Sequence, residues 1–572
     1  MILSEKPNVR NLVEICYAKG IRQVVISPGS RNAPLNISFN EHGGFTCLSV
    51  PDERVAAFFA MGVSQQTRKP AIITCTSGSA ALNYAPAICE AYYQKIPLLI
   101  ITADRPVEWT DQGNGQTIRQ RNVYANYIKK SYDIPQNPKD EQDLWHINRI
   151  ISEAIDQTMH YGEAGPVHIN MSFREPLYGL KDYKDIPLPK VSTVVPTQPT
   201  LSSDTLNDLA QVWNNSTKKL ILVGMLSPEE KGLNAILGRL IEADNSLVVL
   251  SEQTSNLQHP KFCPCIDRCI DSISVDKITD FQPDLLITIG HSVISKKVKF
   301  LFREHKAKIG WHIGLENFHL DTFQNLTQHI PISPTTFFTQ LESEIKPQKS
   351  KFQETWLAQH TQTTQAHEGY LKDTVWSDLK AFEHLLKALP EGTNLQMGNS
   401  SAVRYVLLFN PRSDVWYNSN RGVAGIDGST STATGAAFIN KEPTTIITGD
   451  IAFFYDSNAF WNHHLTPNLR VVLINNGGGN IFRIIKGPDS TNQLEEFFET
   501  HHNLQAEHLA KLYHLNYYKA SATRELENIL IDFYKPQTNN RPALLEVCTP
   551  RLENDKVLKD YFTYIKGQMI KK

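Results

Sequence analysis

The sequence predicts an α/β protein of three doubly wound domains with mainly parallel sheets, and two observations lead to this prediction. The segments Ala71–Cys75 and Leu98–Thr102 are apolar almost throughout and have the length of strands, which is typical of strands buried on both faces of a parallel sheet. Segments with helical spacing, such as Ala80–Tyr93, alternate with these runs. This alternation favours layered sheets whose strands are joined by right-handed helical crossovers.

Apolar runs of this kind form three series along the chain. Each run is followed by a segment that can form a helix, so each run is predicted to be one strand of a parallel sheet. In chain order the predicted strands are Gln23–Ser27, Ala71–Cys75 and Leu98–Thr102, then Lys219–Gly224, Ser246–Leu250, Asp284–Gly290 and Lys308–Gly314, then Val415–Asn418, Thr444–Gly449, Arg470–Asn475 and Ala543–Cys548.

Two breaks between the series give three predicted domains, residues 1–184, 205–345 and 374–572. A chain of 572 residues is well above the size of one hydrophobic core. The segment Asp185–Asp204 contains four prolines and little periodicity, so we interpret it as an extended linker. The polar segment Ile345–Asp373, rich in Gln, Lys and Thr, separates the second series from the third.

The charge balance excludes some classes of partner. The 57 basic and 59 acidic residues give a net charge of −2, so we expect no nucleic acid partner. No apolar run approaches the roughly 20 residues of a membrane span, and the first residues lack the order of a signal peptide. We therefore expect a cytoplasmic protein without a membrane span, in which a few placed Arg and Lys residues meet any negative charge of the substrate.

A cluster of three cysteines, Cys263, Cys265 and Cys269, leaves two interpretations open. Three thiols within seven residues could ligate zinc, but no paired Cys-x-x-Cys and no nearby histidine completes a set of four ligands. An ordinary loop of reduced cysteines is the alternative that we favour, because free thiols are the usual state in the cytoplasm.

The third domain carries the most specific local pattern. Gly449 and Asp450 end one apolar strand, and Asn476, in the run Asn475-Asn476-Gly477-Gly478-Gly479-Asn480, follows Asp450 by 26 residues at the end of the next. Ligands of open parallel sheets bind beyond the carboxyl ends of strands. Carboxylate, amide and carbonyl oxygens suit Mg²⁺, and glycines let the backbone approach a diphosphate closely. A capping Asp and a Gly/Asn turn are the structural alternative for either half alone.

The first domain carries two weaker patterns. Glu53 opens a segment of helical composition after an apolar stretch, where a glutamate usually complements the helix dipole and faces solvent. Ser77 and Gly78 belong to the run Thr76-Ser77-Gly78-Ser79-Ala80, which directly follows the strand Ala71–Cys75. Small residues at a helix N-terminus can hold an anion or admit a ring, although a tight strand-to-helix turn has the same composition.

Together these residues give the chain a resemblance to the thiamine-diphosphate enzymes of the decarboxylase and acetohydroxyacid-synthase type. The resemblance extends over nearly the whole chain. The resemblance implies a pyrimidine-binding domain, a middle domain and a diphosphate-binding domain, with thiamine diphosphate and Mg²⁺, or Mn²⁺ in its place. It makes Glu53 the catalytic glutamate that bonds the aminopyrimidine ring. The cofactor-binding residues that it implies are Ser77, Gly78, Ile426, Gly449, Asp450, Asn476, Gly478 and Ile481, of which Asp450, Asn476 and the Gly478 carbonyl hold the metal. The superfamily usually has glycine after the aspartate, whereas this chain has Ile451.

The segments 27–31, 102–106, 115–120, 398–404 and 420–428 are similar to motifs of the branch of this family that serves menaquinone biosynthesis. The resemblance implies a reaction that joins 2-oxoglutarate to isochorismate with loss of CO₂. These substrates carry several carboxylates, which arginine pairs well. The implied substrate-binding residues are Ser30, Arg31, Arg105, Gln116, Lys296, Lys297, Ser400, Arg404 and Arg421.

The resemblance also implies a homodimer or a homotetramer, because the family assembles each site from two subunits and Glu53 and Asp450 lie in different predicted domains. Two alternatives stay open. One is another decarboxylase or carboligase on the same scaffold, such as an acetohydroxyacid synthase. The other is a catalytically silent nucleotide-binding regulator, since layered α/β folds host many functions.

Overall fold

The computed structural model describes residues 2–226, 231–485, 487–536 and 539–570. Three parallel sheets of six, five and six strands dominate these residues, and a pair of short antiparallel strands accompanies the first sheet. Helices connect the strands of each parallel sheet. The predicted α/β class with several mainly parallel sheets is therefore confirmed.

The first sheet lies within residues 23–172. The strands of this part of the chain are β1 (Ile2–Ser4), β2 (Gln23–Ile26), β3 (Thr46–Ser49), β4 (Ala71–Cys75), β5 (Leu98–Asp104), β6 (Ser131–Ile134), β7 (Val167–Ser172) and β8 (Leu180–Asp182). The helices are α1 (Pro7–Ala18), α2 (Ala33–Glu41), α3 (Glu53–Thr67), α4 (Ser79–Asn83), α5 (Ala85–Gln94) and α6 (Glu141–Met159). Strands β1 and β8 pair antiparallel outside the main sheet.

The second sheet lies within residues 219–330. Its strands are β9 (Lys219–Val223), β10 (Leu247–Ser251), β11 (Leu285–Ile289), β12 (Ile309–Ile313) and β13 (Gln328–Ile330). The helices here are α7 (Ser203–Asn215), α8 (Lys231–Ala243), α9 (Ile266–Asp271), α10 (Ile278–Phe281), α11 (Lys296–Glu304) and α12 (Pro334–Leu341). The long helix α13 (Phe352–Asp373) connects this part to the third.

The third sheet lies within residues 394–548. Its strands are β14 (Asn394–Met397), β15 (Trp416–Ser419), β16 (Thr444–Gly449), β17 (Leu469–Asn475), β18 (Asn516–Ala520) and β19 (Ala543–Cys548). The helices are α14 (Asp378–Lys387), α15 (Ser401–Val406), α16 (Ser429–Ile439), α17 (Asp450–Tyr455), α18 (Ile481–Ile484), α19 (Glu507–Leu512), α20 (Thr523–Phe533) and α21 (Asn554–Ile570). Every helix of the described residues is too short or too polar to cross a lipid bilayer.

The strand order places a crevice in the same position in each sheet. The orders are β3-β2-β4-β5-β7-β6, β10-β9-β11-β12-β13 and β15-β14-β16-β17-β19-β18. In each sheet the chain first adds a strand on one side of the starting strand and then crosses to its other side. Such a switch point opens a ligand crevice at the carboxyl ends of the two central strands, here β2 and β4, β9 and β11, and β14 and β16.

Helices α3 and α16 join the first and third sheets within one chain by a close backbone contact. A Cβ atom on Gly62 of α3 would lie 2.0 Å from the carbonyl oxygen of Thr432, and one on Gly435 of α16 would lie 2.0 Å from that of Phe59. Real Cβ atoms do not approach a carbonyl oxygen this closely, so both positions require glycine. The two helices are otherwise covered by buried apolar side chains, among them Phe59 and Ala436.

Replacing Gly435 with alanine should therefore separate the two helices. Overpacking of this kind costs about 1–3 kcal/mol, so we expect a lower midpoint of thermal unfolding and weaker binding of the cofactor. The control is Gly567→Ala in α21, where a Cβ meets no atom within 4 Å and alanine favours the helix. An unchanged midpoint in Gly435→Ala, measured by circular dichroism beside that control, would contradict the close contact.

Candidate active site

A cavity of about 260 Å³ lies at the carboxyl ends of β14, β16 and β17. All of its lining residues belong to the third predicted domain. The expected site residues among them are Ser400, Ile426, Gly449, Asp450, Asn476, Gly478 and Ile481. The structure thus brings together, in one cavity, every residue of the third domain that was expected to bind the cofactor.

The Asp450 carboxylate is fixed by the loop that follows β17. Its Oδ2 atom accepts hydrogen bonds from the backbone N–H groups of Asn476, Gly477 and Gly478 at 3.2, 2.8 and 2.9 Å. Its Oδ1 atom accepts one from the N–H of Ile451 at 2.7 Å. Because β16 and β17 are neighbours in register, with Gly449 opposite Ile474, the two halves of the predicted motif meet at one edge of the sheet.

Asn476 presents one oxygen that the protein leaves unpaired. Its Nδ2 group donates to Oδ2 of Asp378 at 3.0 Å, which fixes the amide plane. Its Oδ1 atom is buried and has no hydrogen-bond partner among the described residues. A buried polar atom without a partner costs free energy, and a bound cation would supply the missing partner.

These donors fit a divalent ion that prefers oxygen. Asp450 and Asn476 are both buried and offer a carboxylate and an amide oxygen, and Gly478 offers a carbonyl. Gly478 has φ of +152°, a conformation that favours glycine. A Cβ on Gly449 would meet nothing within 4 Å, so the cavity wall is open beside Asp450. The arrangement suits Mg²⁺ that also binds diphosphate oxygens.

The departure at Ile451 does not disturb this geometry. Ile451 lies in the first turn of α17 and is absent from the residues with positive φ. The backbone there has no need of glycine, and the side chain of Ile451 simply lines the cavity.

Asp378 is a residue that the sequence analysis missed. It is fully buried, and burial raises the pKa of its carboxyl group to about 6, although hydrogen bonds from Thr549 and Asn476 oppose that shift. Its Oδ1 atom accepts from the Thr549 hydroxyl at 2.6 Å. Asp378 therefore orients Asn476 from behind, a supporting role that is common around metal ligands.

Most of the expected residues of the first domain lie at the switch point of the first sheet, in the loops after β2, β4 and β5. The backbone N–H of Arg31 donates to the Thr76 hydroxyl at 3.3 Å, which joins the loops after β2 and β4. Gly78 has φ of +91°, and a Cβ there would lie 3.3 Å from the Cα atom of Gln116. Ser77 is buried, and its hydroxyl has no partner among the described residues.

Arg31 and Arg105 form a pair of close cations in this region. Burial lowers the pKa of Arg31, and the charge of Arg105 adds to that effect. One Arg31 nitrogen donates to the Phe173 carbonyl at 2.9 Å, while the Nε atoms of both arginines are buried and unpaired within the described part of the chain. Ser30 and Gln116 are exposed beside them. Another Arg31 nitrogen pairs with the exposed Glu175 carboxylate at 3.1 Å, so the positive charge in these loops is only partly neutralised.

Glu53 is the first residue of α3, and its Oε2 atom accepts a hydrogen bond from Asn83 at 3.3 Å. It is partly exposed and does not line the cavity of Asp450. Its neighbours dock on the third domain of the same chain, since Asn458 donates to Asp52 at 2.9 Å and Arg54 donates to the Tyr455 carbonyl at 3.0 Å. Within one chain, the two ends of the predicted site are thus not in a common cavity.

The remaining expected cations lie where the middle and third parts of the chain meet. Burial lowers the pKa of Arg421, and the nearby charge of Arg404 lowers it further. Lys296 is exposed at the start of α11. Lys297 forms an ion pair with Asp271 and lies 3.6 Å from the centroid of the Phe562 ring. Of the two expected lysines, Lys296 is therefore the one with a charge available to a ligand.

Glu252 was also missed by the sequence analysis. It is buried in the middle of this basic region and accepts hydrogen bonds from the N–H groups of Ile294 at 2.8 Å and Ser295 at 2.6 Å. Burial raises the pKa of its carboxyl group to about 7, against the effect of these hydrogen bonds. Glu252 thereby fixes the segment that leads into Lys296. Its position gave no sequence signal, because it follows an ordinary strand.

A scan against protein families matches residues 9–123 to the thiamine pyrophosphate enzyme N-terminal TPP binding domain. Curated relatives cover almost the entire chain. The 2-succinyl-5-enolpyruvyl-6-hydroxy-3-cyclohexene-1-carboxylate synthase of Flavobacterium johnsoniae is 42% identical over 98% of this chain and 99% of its own. The synthase of the same name from Christiangramia forsetii is 40% identical over 99% of this chain and 100% of its own.

The parallel-sheet fold, the oxygen-donor cavity and the matched N-terminal domain define a thiamine-diphosphate-dependent enzyme. Within that class, identity of this level over nearly the full length shows the family. The chain belongs to the 2-succinyl-5-enolpyruvyl-6-hydroxy-3-cyclohexene-1-carboxylate synthases.

The buried carboxyl group of Glu252 should make stability depend on pH. Its pKa is about 7 in the folded protein and about 4.3 in an unfolded chain. The folded state therefore binds more protons between these values, and stability falls as pH rises through this window, by about 3 kcal/mol in total. The glutamine of Glu252→Gln cannot titrate. The free energy of unfolding of this variant minus that of wild type should therefore rise between pH 4.5 and pH 7.

Urea unfolding at several pH values measures this difference, and the exposed Glu304→Gln serves as the matched control on α11. The control should differ from wild type by a constant amount across the window. A pH-independent difference for Glu252→Gln as well would show that the buried carboxyl group titrates normally.

Proposed function

We propose that the enzyme decarboxylates 2-oxoglutarate and adds the remaining four-carbon unit to isochorismate, which gives 2-succinyl-5-enolpyruvyl-6-hydroxy-3-cyclohexene-1-carboxylate and CO₂, in menaquinone biosynthesis. The cofactors are thiamine diphosphate and Mg²⁺, with Mn²⁺ as a substitute. The observation that carries the proposal is the buried Asp450–Asn476 cavity in a chain whose full-length relatives bear the name of this synthase.

The third domain would hold the metal and the diphosphate. Asp450 is already positioned by three backbone N–H groups, so ion binding needs little rearrangement of the loop. Asn476 offers its unpaired Oδ1 atom, and Gly478 offers its carbonyl. A bound Mg²⁺ would use these protein oxygens and would also neutralise charge on the diphosphate. Ile426 and Ile481 line the same cavity and would offer apolar surface to the rings of the cofactor.

The first domain would contribute the catalytic carboxyl group. Thiamine diphosphate supplies a carbon nucleophile for the 2-oxo group and an electron sink for the decarboxylation. Glu53 would bond the pyrimidine ring of the cofactor through its carboxyl group. Ser77 and Gly78 would border the ring from the loop after β4, where their small side chains would leave room for it.

Arginine and lysine side chains would bind the substrate carboxylates. Arg31 and Arg105 carry buried, unpaired Nε atoms in the first domain, and Arg421 does so in the third. Each offers a planar donor that pairs well with a carboxylate. Ser30, Gln116, Ser400, Arg404 and the two lysines Lys296 and Lys297 complete the proposed set, with Lys297 held by its ion pair to Asp271.

The enzyme would be a homodimer or a homotetramer with shared sites. Glu53 does not line the cavity of Asp450 in its own chain, and the residues beside Glu53 are occupied by contacts with residues 455–458 of that chain. A second copy that places its Glu53 over the cavity would complete the site. Such a closed pair follows the twofold symmetry that most homo-oligomers adopt.

Mixing two inactive variants tests the shared site. Glu53→Gln and Asp450→Ala each disable one end of the cofactor site, so each variant alone should be inactive. After subunit exchange, half of the dimers contain one copy of each, and one of their two sites is intact. Recovery should therefore reach about a quarter of wild-type activity. Exchange is verified with two affinity tags, and complete exchange without any recovery would show that each site belongs to one chain.

A direct assay tests the reaction itself. Wild-type enzyme with thiamine diphosphate and Mg²⁺ should consume 2-oxoglutarate and isochorismate in equal amounts. The loss of isochorismate absorbance and the release of CO₂ measure this consumption. Asp450→Ala should lose more than about 100-fold in rate, while Asp560→Ala on the exposed face of α21 should retain it. Turnover of pyruvate alone, or a bound flavin, would indicate an acetohydroxyacid-synthase-like enzyme. Cofactor binding that raises the unfolding midpoint without any turnover would indicate a silent regulator.

A further inference from the structure

A second cavity, of about 230 Å³, lies where the three parts of the chain meet. It opens at the carboxyl ends of β11 and β12, the edge of the middle sheet where ligands of open α/β sheets bind. His291 follows β11 and Glu316 follows β12, and both line the cavity. Lys95 of the first domain and Arg421 of the third lie at its borders.

A mixed set of nitrogen and oxygen ligands lies beside this cavity, which His291 and Glu316 line and Glu163 adjoins. Ligand atoms of Glu163, His291 and Glu316 all lie within 4.8 Å of one another, the one group of His, Cys, Asp and Glu side chains with such spacing among the described residues. The Nδ1 atom of His291 is 3.9 Å from Oε1 of Glu163. Glu316 is buried, and the other two are half-buried. The three side chains thus surround one point from two domains.

Each carboxylate is oriented by a partner on one oxygen only. Lys95 contacts Oε2 of Glu163 at 2.9 Å, which leaves Oε1 facing His291. His312 contacts Oε2 of Glu316 at 3.1 Å, and its other ring nitrogen lies 2.9 Å from the Thr288 hydroxyl. Supporting contacts of this kind fix the orientation of metal-binding carboxylates.

The backbone around Glu163 and His291 is also fixed. Lys129 donates to the Glu163 carbonyl at 2.6 Å, and the N–H of His291 donates to the Met225 carbonyl at 3.0 Å. Within the described part of the chain, no hydrogen bond involves the imidazole ring of His291, although it lies between two carboxylates. The ion pairs with Lys95 and His312 account for the positions of the two carboxylates. They do not account for the position of the His291 ring.

We propose that Glu163, His291 and Glu316 bind a divalent transition ion of the zinc class, which bridges the first and middle domains. One imidazole nitrogen and two carboxylate oxygens are typical protein ligands of Zn²⁺. Bonds of zinc length place neighbouring ligands about 3.4 Å apart, so modest side-chain rotation closes the present spacing. A fourth coordination position faces the cavity and takes water or an anion.

This site differs in chemistry from the one at Asp450. The Asp450 cavity offers oxygen atoms alone, which suits Mg²⁺, whereas an imidazole ligand favours zinc, cobalt or nickel over magnesium. The two sites also lie on different sheets. A zinc-class ion would therefore bind here even when Mg²⁺ and thiamine diphosphate saturate the other site, and it would tie Glu163 to the middle sheet.

Metal analysis of the loaded enzyme tests the proposal. Wild type saturated with thiamine diphosphate and Mg²⁺ is dialysed against buffered Zn²⁺, and the bound zinc is measured by mass spectrometry. We expect about one zinc ion per chain, and a fall of at least about tenfold in affinity in His291→Ala and Glu163→Gln. The matched control is His305→Ala, a half-buried histidine of the same domain, which should bind zinc as wild type does. Circular dichroism confirms that each variant is folded.

Cobalt gives a second, spectroscopic readout. Co²⁺ bound to one nitrogen and three oxygens in a four-coordinate site absorbs in the visible, and this band should disappear in His291→Ala while it persists in Asp450→Ala. Absence of zinc binding by the wild type would overturn the proposal. Full zinc binding in His291→Ala would overturn it as well, because the ion would then lie elsewhere, for example at Cys265 and Cys269. None of these outcomes depends on turnover of the proposed substrates.

Discussion

The close crossing of α3 and α16 constrains the rest of the molecule. Gly62 and Gly435 let two backbones touch, so the first and third sheets of one chain have a fixed relation. Glu53 stands at the start of α3, and its neighbours Asp52 and Arg54 are engaged with residues 455–458. The same contact that joins the two sheets therefore keeps Glu53 out of the cavity of Asp450. This geometry supports a catalytic unit of two chains, because a second copy can bring its Glu53 to the open side of that cavity.

The third sheet fixes the residues that we propose as metal ligands. Three N–H groups converge on one oxygen of Asp450, which stabilises the buried charge and fixes the loop after β17. Asp378 takes the amide hydrogens of Asn476 and leaves the amide oxygen without a partner. A buried oxygen without a partner costs free energy, and an ion bound beside Asp450 would remove that cost. Rigid strand ends hold these groups more accurately than a mobile loop would.

The sequence predicted those parts of the site that depend on local pattern. Apolar strands such as β4 and β16 were visible because both faces are buried, and the strand-end positions of Asp450, Asn476 and Ser77 followed from them. Six strands of the parallel sheets were missed, namely β3, β6, β7, β13, β14 and β18. Segments such as Asn394–Met397 and Asn516–Ala520 mix polar and apolar residues and therefore lack the apolar pattern. Asp378 and Glu252 were missed for another reason: their partners lie about 40 to 170 residues away in the chain, and no local pattern reports such contacts. Likewise, only the fold shows that Lys297 is paired with Asp271.

Charge compensation across the interface between the middle and third parts explains how a nearly neutral protein keeps a basic site. Arg404 and Arg421 are partly buried and lie close together; desolvation lowers the pKa of both, and the charge of Arg404 lowers that of Arg421 further. One nitrogen of Arg404 donates to the Ser400 carbonyl, and one of Arg421 donates to Asn399; neither arginine forms an ion pair within the described residues. The charges of Glu252 and Asp267 stabilise Arg404 from the middle domain without taking its donors. These carboxylates offset part of the positive charge without occupying the guanidinium N–H groups. The N–H groups therefore stay available, as the proposed binding of an anionic substrate requires.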